Sequence, residues 1–509
     1  MDLAEILAVV LTPASLMWIL IGAFAGILVG VIPGLTAAVA IALLVPMTLE
    51  LDPLHAMLML TGIYAGSMYS NSITSVTMRT PGNPAGAVTI LDGYPMALKG
   101  QAGRAIGLGA WASAFGGIFS VLVLWIFSQL LASVALQFSP VEYFAVGILG
   151  LTTAVAVTGS SKARSLTAAT LGLLVGVIGT DPLVNLPRFT FGLSELRLGV
   201  PFLAAIIGLF AMAEVMRLAE VRGRRTRMVT SIGRVLPSRM DMRRTLRPVF
   251  RGSVIGTIVG ILPGGGGAMA SFLAYGDAKR ASKKPEEFGK GSIEGVTAPD
   301  AASNGVAGGA MVPLLSLGIP GDAVTAVMLG ALIVQGITPG PALFEGSGAD
   351  LVYPLFAGML LANLAMLVMG LGLARPLGSV ALLPRSVLLP AIATLSFTGA
   401  FIATGQTYLL WVTLIFGIIG YLMVRFDYPV AALALGLILG PILESNLRRG
   451  LMLHEGDVTV FLTRPISAGL LAAAALVLAL SIWGSRRART RAQTAAATGQ
   501  PAPTGRRNR

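Results

Sequence analysis

The sequence predicts an all-α polytopic membrane protein, an inverted-repeat secondary transporter with discontinuous helices and two re-entrant hairpins. Three observations predict it. Apolar stretches of about 20 residues, long enough to cross a bilayer, recur from end to end. The 509-residue chain is 55% hydrophobic and 12% charged, where soluble domains carry roughly 25% charged residues. A broken apolar run, GILVGVIPG at 26–34, returns as GTIVGILPG at 256–264, with five of nine positions identical.

Charge placement orders the elements. No Lys or Arg precedes Arg79, so the first segment lacks a signal-peptide n-region and is expected to stay in the membrane. The N-terminus and the Glu50/Asp52 loop carry only acids, which places both outside under the positive-inside rule. Residues 16–49 then leave and return on that side, with Pro33-Gly34 at the tip of a hairpin. Arg79, Lys99 and Arg104 read as inside, so residues 53–96 make one net crossing. Residues 104–135 go out, 140–158 return to Lys162 and Arg164, 163–180 go out, and 198–219 return. They return to eleven arginines between Arg217 and Arg251, set against Glu220 and Asp241. Arg188 and Arg197 fall outside, against the rule.

The second broken run lies between that arginine loop and Lys279, Arg280, Lys283, Lys284 and Lys290. Both flanks read as cytoplasmic, so residues 250–276 form a second re-entrant hairpin with PGGGG at its tip. Pro263 lacks an amide donor and glycines tolerate tight turns. Irregular backbone at membrane depth is allowed where protein or a water-lined cavity satisfies it. Residues 300–337 cross outward to Glu345 and Asp350. Later crossings return to Arg375 and Arg385, go out, return to Arg425, go out to Glu444, and return to the tail. Arg448 and Arg449 fall outside. The count is about eleven full crossings plus two hairpins.

The domain division follows. Residues 1–216 form a first membrane repeat, 217–251 a basic cytoplasmic linker, 252–484 a second, inverted repeat, and 485–509 a disordered basic cytoplasmic tail. The net charge of +13 gathers in loop and tail, which marks topology and membrane lipid rather than nucleic acid. There is no cysteine, so disulfide and thiol chemistry are excluded. Two further echoes keep the same order in both halves: Ser70-Asn71 with Ser303-Asn304, and Pro81-Gly82 plus Ala87-Val88-Thr89 with Pro320-Gly321 plus Ala323-Val324-Thr325. An odd number of crossings separates the hairpins, which inverts the second half. Inverted repeats with broken helices place a substrate site near the midplane, where helix ends point N–H groups at an anion and C=O groups at a cation.

No enzyme motif is present. PGGGGAMAS lacks the Lys-Ser/Thr of a phosphate-binding loop, His454-Glu455 has no second histidine at metalloprotease spacing, and no metal-ligand cluster exists. His55 and His454 read as loop or interfacial residues. The candidate substrate- and cation-binding residues flank the breaks: Asn71, Ser72, Pro81, Gly82, Asn83, Gly264, Gly265, Ser303, Asn304, Pro320, Gly321 and Thr325. Asp322 reads as a helix cap or a cation ligand, and Arg79 as an anion partner or an edge anchor. The expected function is secondary transport of an organic anion, with a stand-alone channel or exporter of organic anions as the alternative.

The stretches TPGNPAGAVTILDGYPMALKGQAGRAIG (80–107) and FGKGSIEGVTAPDAASNGVAGGAMVPLLSLGIPGDAVTAVMLGALIVQGITPGPALF (288–344) resemble the large membrane subunit of the tripartite tricarboxylate transporters. DGYPMA, FGKG, LGIPG and PGP together carry the resemblance, and the general pattern covers nearly all of the chain except the tail. It implies a multi-pass permease of the bacterial inner membrane, whose C-terminus the basic tail places in the cytoplasm. It also implies a small membrane subunit of about four helices, a periplasmic solute-binding protein, a tricarboxylate- or dicarboxylate-type substrate, and symport with Na+ or H+ rather than ATP or another cofactor. The chain departs from the family pattern at Ser67–Ser75, at Arg79 and within Ala298–Asn304, so the resemblance implies a carboxylate without naming which.

Overall fold

The computed structural model describes residues 2–157, 161–181, 183–220, 232–380, 383–402 and 405–497. Within them the chain is nearly all helix. The first part holds α1 (Leu3–Val10), α2 (Pro13–Gly30), α3 (Ala37–Leu44), α4 (Pro53–Met78), α5 (Gly86–Leu98), α6 (Ala102–Ala135), α7 (Pro140–Val157) and α8 (Lys162–Gly176). A loop with one short antiparallel β-pair, Gly179–Thr180 against Pro187–Arg188, leads to α9 (Phe202–Ile206) and α10 (Ala213–Glu220), joined by a π-helical segment, Ile207–Met212. The second part holds α11 (Arg239–Ile261), α12 (Gly267–Ala281), α13 (Ile293–Leu317), α14 (Ala323–Val334), α15 (Ala349–Val380), α16 (Arg385–Ile402), α17 (Tyr408–Arg425), α18 (Val430–Leu453), α19 (Val460–Thr463) and α20 (Pro465–Ala497).

Local chemistry sets the helix starts. Thr12 accepts from the Ser15 amide ahead of Pro13, and Asp52 accepts from the amides of Leu54 and His55 ahead of Pro53. Ser238 accepts from the Asp241 amide and Ser292 from the Gly295 amide. Each satisfies an orphan donor of the first turn.

Among the described residues seven helices are long and apolar enough to cross a membrane. The long helices α4 and α13 are not among them. Both are buried over nearly their whole length and carry Ser, Thr, Asn and Gly where a lipid-facing helix would carry aliphatic residues. Protein surrounds them, so they need not be apolar all round.

Two stretches build the same local arrangement. Gly22, Gly26 and Gly30 of α2 press against Met59, Ile63 and Ser67 of α4, in ascending order. Gly252, Gly256 and Gly260 of α11 press against Ala298, Ala302 and Val306 of α13 in the same order. Both pairs therefore run parallel, and the missing side chains let the backbones touch. A Cβ on Gly26 would lie 2.3 Å from the Ile63 carbonyl oxygen, and one on Gly256 2.2 Å from that of Ala302. Since α2 and α4 start at the same end, α3 and the turn after it bring the chain back. In the second stretch α12 brings it back, running antiparallel to α13: Gly267 lies by Ser303 and Ser271 bonds Pro299 O. The breaks also match. Gly34, at φ 97°, donates its amide to Gly82 O at 3.3 Å, and Gly264, at φ 85°, donates to Gly321 O at 2.6 Å. Where α4 and α13 meet they run antiparallel, Ser72 touching Asp300 and Met68 touching Ser303.

These contacts correct two of the sequence echoes. They align Gly66 with Gly305, each set against the partner helix of its own stretch, and Gly82 with Gly321. Asn71 is then the counterpart of Ala310 and Asn304 that of Ala65, so the Ser-Asn pairs sit on different turns. Ala87-Val88-Thr89 and Ala323-Val324-Thr325 are likewise out of step. Narrow composition produces such matches by chance.

The linker and tail also differ from expectation. Capped by Ser238, α11 takes Arg239–Arg251 into a helix, which shortens the predicted 217–251 linker. At the other end α20 continues to Ala497, past residue 485 where a disordered tail is predicted, because its Ala, Arg and Gln residues are strong helix formers. Residues 221–231 and 498–509, which hold four of the predicted loop arginines and three of the tail arginines, lie outside the described residues.

Two of the four arginines that break the positive-inside rule, Arg188 and Arg448, are paired. Arg188 donates to Glu444, and Arg448 to Asp181 and Glu444. The Arg448 guanidinium and the amides of Leu183 and Val184 hold the Asp181 carboxyl down at about 2. Two acids neutralise two arginines, so the cluster carries no net topological signal.

Candidate functional site

The breaks leave helix N-termini inside the protein, and these converge. Thr36 accepts from the Val39 amide at the start of α3. Asn83 Oδ1 accepts from the Ala85 amide just before α5. Asp322 accepts from the Thr325 amide at the start of α14, while its own amide donates to Thr325 Oγ1. Gly266 precedes α12 and Pro429 precedes α18. All five residues line one cavity of about 950 Å³. Five helix N-termini thus border the same space, the end of a helix dipole that favours an anion.

Met68 of α4 and Leu209 and Phe210 of the π segment add apolar wall. At one end Arg164, Asp427 and Tyr428 line the cavity. Arg164 reaches Asp427 at 3.5 Å and stacks over the Tyr428 ring at 5.8 Å. Glu214 lines it too, held by Arg217.

One face of α4 joins this cavity to the buried polar interior. Tyr64, Met68 and Ser72 follow at four-residue spacing, on one side of the helix. Tyr64 donates to Asp322 Oδ2 at 2.6 Å. Met68 Sδ accepts from Asn83 Nδ2 at 3.6 Å and Ser303 Oγ at 3.7 Å. Ser72 donates to Asp300 Oδ2 at 2.5 Å, and Thr89 of α5 donates to Asp300 Oδ1 at 2.6 Å.

The sequence-predicted residues fall in several places. Asn83 and Gly264 line the cavity. Thr325 holds Asp322, which lines it as well, so the capping reading of Asp322 stands in the geometry. Asn71 and Ser303 lie one shell back: Asn71 Oδ1 accepts the Asn83 amide at 2.6 Å and so aims the start of α5. Ser72 faces Asp300 instead. Asn304 donates to Asp300 O at 3.2 Å. Pro81-Gly82 and Pro320-Gly321 form the crossings, where a Cβ on Gly82 or Gly321 would lie 2.8 or 2.6 Å from Gly30 O or Gly260 O. Gly265 packs under Val259 O. Arg79 is exposed, left-handed at φ 54°, and stacked on Tyr94 at 5.7 Å, away from the cavity. His55 bonds Ser15 and Asp52 near the start of α4, and His454 bonds Gly450 O. Among the described residues no three His, Asp or Glu side chains converge.

Two motifs singled out in the sequence meet each other. Asp92 of DGYPMA accepts at Oδ1 from the amides of Gly289, Gly291 and Ser292, each at 2.8 Å, and at Oδ2 from Tyr275 at 2.9 Å. It latches the FGKG loop to α5.

Sequence reasoning missed Asp300, Thr89, Tyr64 and Met68, and the cavity role of Arg164 and Asp427. A carboxylate within a long uncharged run was a usable signal for Asp300. Arg164 and Asp427 offered none beyond their basic or acidic loop positions.

Comparison with known proteins follows this geometry. The model of the "Tripartite tricarboxylate transporter TctA family" matches residues 16–435. An "uncharacterized 52.8 kDa protein in TAR-I ttuC' 3'region" of Agrobacterium vitis is 40% identical over 472 residues, 92% of this chain and 94% of that protein. An "uncharacterized protein in TAR-II ttuC' 3'region" of the same organism is 39% identical over 234 residues, 46% of this chain and 96% of that protein. No solved structure matches the chain.

Proposed function

The chain belongs to the tripartite tricarboxylate transporter TctA family, and on that premise we propose that it is the large permease subunit of a binding-protein-dependent secondary transporter. It imports a tricarboxylate- or dicarboxylate-type anion across the bacterial inner membrane, driven by a cation gradient. One observation carries the reading: five helix N-termini face a single cavity of a size to hold a small organic anion. Each N-terminus favours an anion by about 0.3–1 kcal/mol at an exposed site, and by more where water is excluded. Arg164, which lines the cavity beside Asp427, supplies a positive charge.

The architecture we propose is two inverted repeats. The matched glycine triplets, the two Gly–Gly backbone bonds at the breaks, and the antiparallel crossing of α4 and α13 support it. α2–α3 and α11–α12 act as re-entrant hairpins entering from opposite sides. Their tips meet at the cavity, and rocking of one repeat against the other would alternate its access. Arg164 and Asp427 lie by the Lys162 and Arg425 loops, the cytoplasmic end under the positive-inside rule, so the cavity opens inward and the C-terminus is cytoplasmic. The partners are a small membrane subunit of about four helices and a periplasmic solute-binding protein that delivers the anion.

The test uses proteoliposomes holding this chain and its small subunit, with the binding protein outside. Labelled carboxylate should accumulate under an imposed Na+ or H+ gradient and only with the binding protein present. Uptake driven by ATP with both gradients collapsed would overturn the reading.

A further inference from the structure

Asp300 is the unusual charge in the membrane interior. It lies within α13, it is 4% exposed, and its carboxylate meets two hydroxyls, Ser72 Oγ and Thr89 Oγ1. The other buried acids nearby are held differently. Asp92 takes three amides and Tyr275, and Asp322 takes an amide at the start of α14 together with Thr325 and Tyr64. Asp300 is mid-helix, so the neighbouring amides are used by the helix itself. Among the described residues no cationic side chain forms an ion pair with it.

Protein packs closely around the carboxylate. Gly109 of α6 covers the site, where a Cβ would come within 2.7 Å of both Asp300 Oδ2 and Ser72 Oγ. α11 meets α13 on other faces, through Ala298 and Ala302, and α12 through Pro299 and Ser303. Of the titratable groups on the packed helices, Tyr69 feels the Asp300 charge without bonding it. Tyr69 of α4 donates to Gly370 O, Arg104 of α6 pairs with Asp241 of α11, and Arg251 of α11 pairs with Asp277 of α12.

An unpaired carboxylate at membrane depth costs several kcal/mol if it stays ionised. Neutralisation removes that cost. We propose that Asp300, with Ser72 and Thr89, is the proton-binding site that couples transport to a proton gradient; the inference rests on the transport reading above. The step is a simple protonation: the carboxylate gains one H+ on one face and loses it on the other. The hydroxyls serve both states. They donate to the ionised form, and one accepts from the protonated form while donating to the carbonyl four residues back on its own helix. Both hydroxyls are already in hydrogen-bond contact with the carboxylate.

The position suits coupling. Ser72 and Thr89 belong to the first repeat and Asp300 to the second, so the proton sits on the contact that must change if the two repeats rock. Ser303, three residues from Asp300, touches Met68, which lines the cavity. Loading of the proton and loading of the cavity therefore act on the same α4–α13 contact.

Asp300→Asn imitates the protonated carboxyl in size and charge. Infrared difference spectra of the purified chain should show a buried protonated carboxylic acid that titrates with pH in the wild type and is missing in D300N. This readout needs no transport, so it separates failure of the proton site from failure of the transport reading. In proteoliposomes, D300N should lose accumulation driven by a pH gradient, and its substrate exchange at equal pH should lose its dependence on pH. Ser72→Ala and Thr89→Val remove donors to the ionised form, so each should move the titration to higher pH. This holds the test open if D300N fails to fold. An unchanged infrared band in D300N, titrations unmoved in both hydroxyl variants, or normal pH-driven accumulation by D300N would overturn the proposal. So would uptake driven by a Na+ gradient alone and lost in D300N.

Discussion

Removing the Asp92 carboxylate should release the loop at residues 289–292, and the size of the effect follows from its partners. Oδ1 accepts three amides at 2.8 Å and Oδ2 one phenol at 2.9 Å. In Asp92→Ala the Ser292 amide stays buried, and a buried donor without a partner costs about 1–3 kcal/mol. The amides of Gly289 and Gly291 are half-exposed and recover water, so they cost less. The Tyr275 bond adds about 1 kcal/mol. The loop should lose about 3 kcal/mol of local stability, roughly a hundredfold faster amide exchange across 289–295. Asp92→Asn keeps an acceptor oxygen but loses the charge that roughly doubles such bonds, so its exchange should rise only about tenfold, or about 1.4 kcal/mol. Hydrogen exchange with mass spectrometry reads both. Unchanged exchange in D92A, or D92N exchanging as fast as D92A, would refute the latch.

Two further expectations rest on other parts of the molecule. A Cβ on Gly267 would lie 3.3 Å from Ala85 Cβ, close to the roughly 3.5–4.5 Å of a disulfide. The pair Ala85→Cys/Gly267→Cys should therefore cross-link under mild oxidation in this cysteine-free chain and block transport reversibly; absence of a cross-link would separate the starts of α5 and α12. The Asp181 carboxyl is depressed to about 2, below its ordinary value near 3.9. Its stabilisation is complete above the ordinary value and is lost as pH falls through the depressed one. Thermal stability should be insensitive to Asp181 between pH 7 and about 5 and should drop between about pH 4 and 2; Asp181→Asn should flatten that drop, and an equal drop in the variant would count against the cluster.

The breaks were legible because Pro33-Gly34 and Pro263-Gly264 cannot continue an apolar helix. The basic loops were legible because the positive-inside rule is read residue by residue. Pairing was not. Arg188 and Arg448 read as violations, since the sequence does not show Glu444 and Asp181 coming to meet them. Ser72 and Thr89 lie more than 200 positions from Asp300, and no periodicity links residues on crossing helices. The Ser-Asn echo misled because short matches are common in so narrow a composition. Asn83 and Asp322 are the better match, each following a Pro-Gly and each accepting an amide beside a helix start on the cavity. Arg164 was read as a loop charge and Asp427 was not singled out, because only folding brings the α7–α8 and α17–α18 loops to the same space.

If the cavity receives the carboxylate, a cysteine at Ala323 will report it. Ala323 is the first residue of α14 and lines the cavity. Its alkylation by an impermeant maleimide from the cytoplasmic side should slow when at least one member of a panel of di- and tricarboxylates is added. A cysteine at Ser282, between Arg280 and Lys283, should label at the same rate throughout. No slowing at Ala323 by any carboxylate, or equal slowing at Ser282, would contradict a substrate site at the convergence of the helix N-termini.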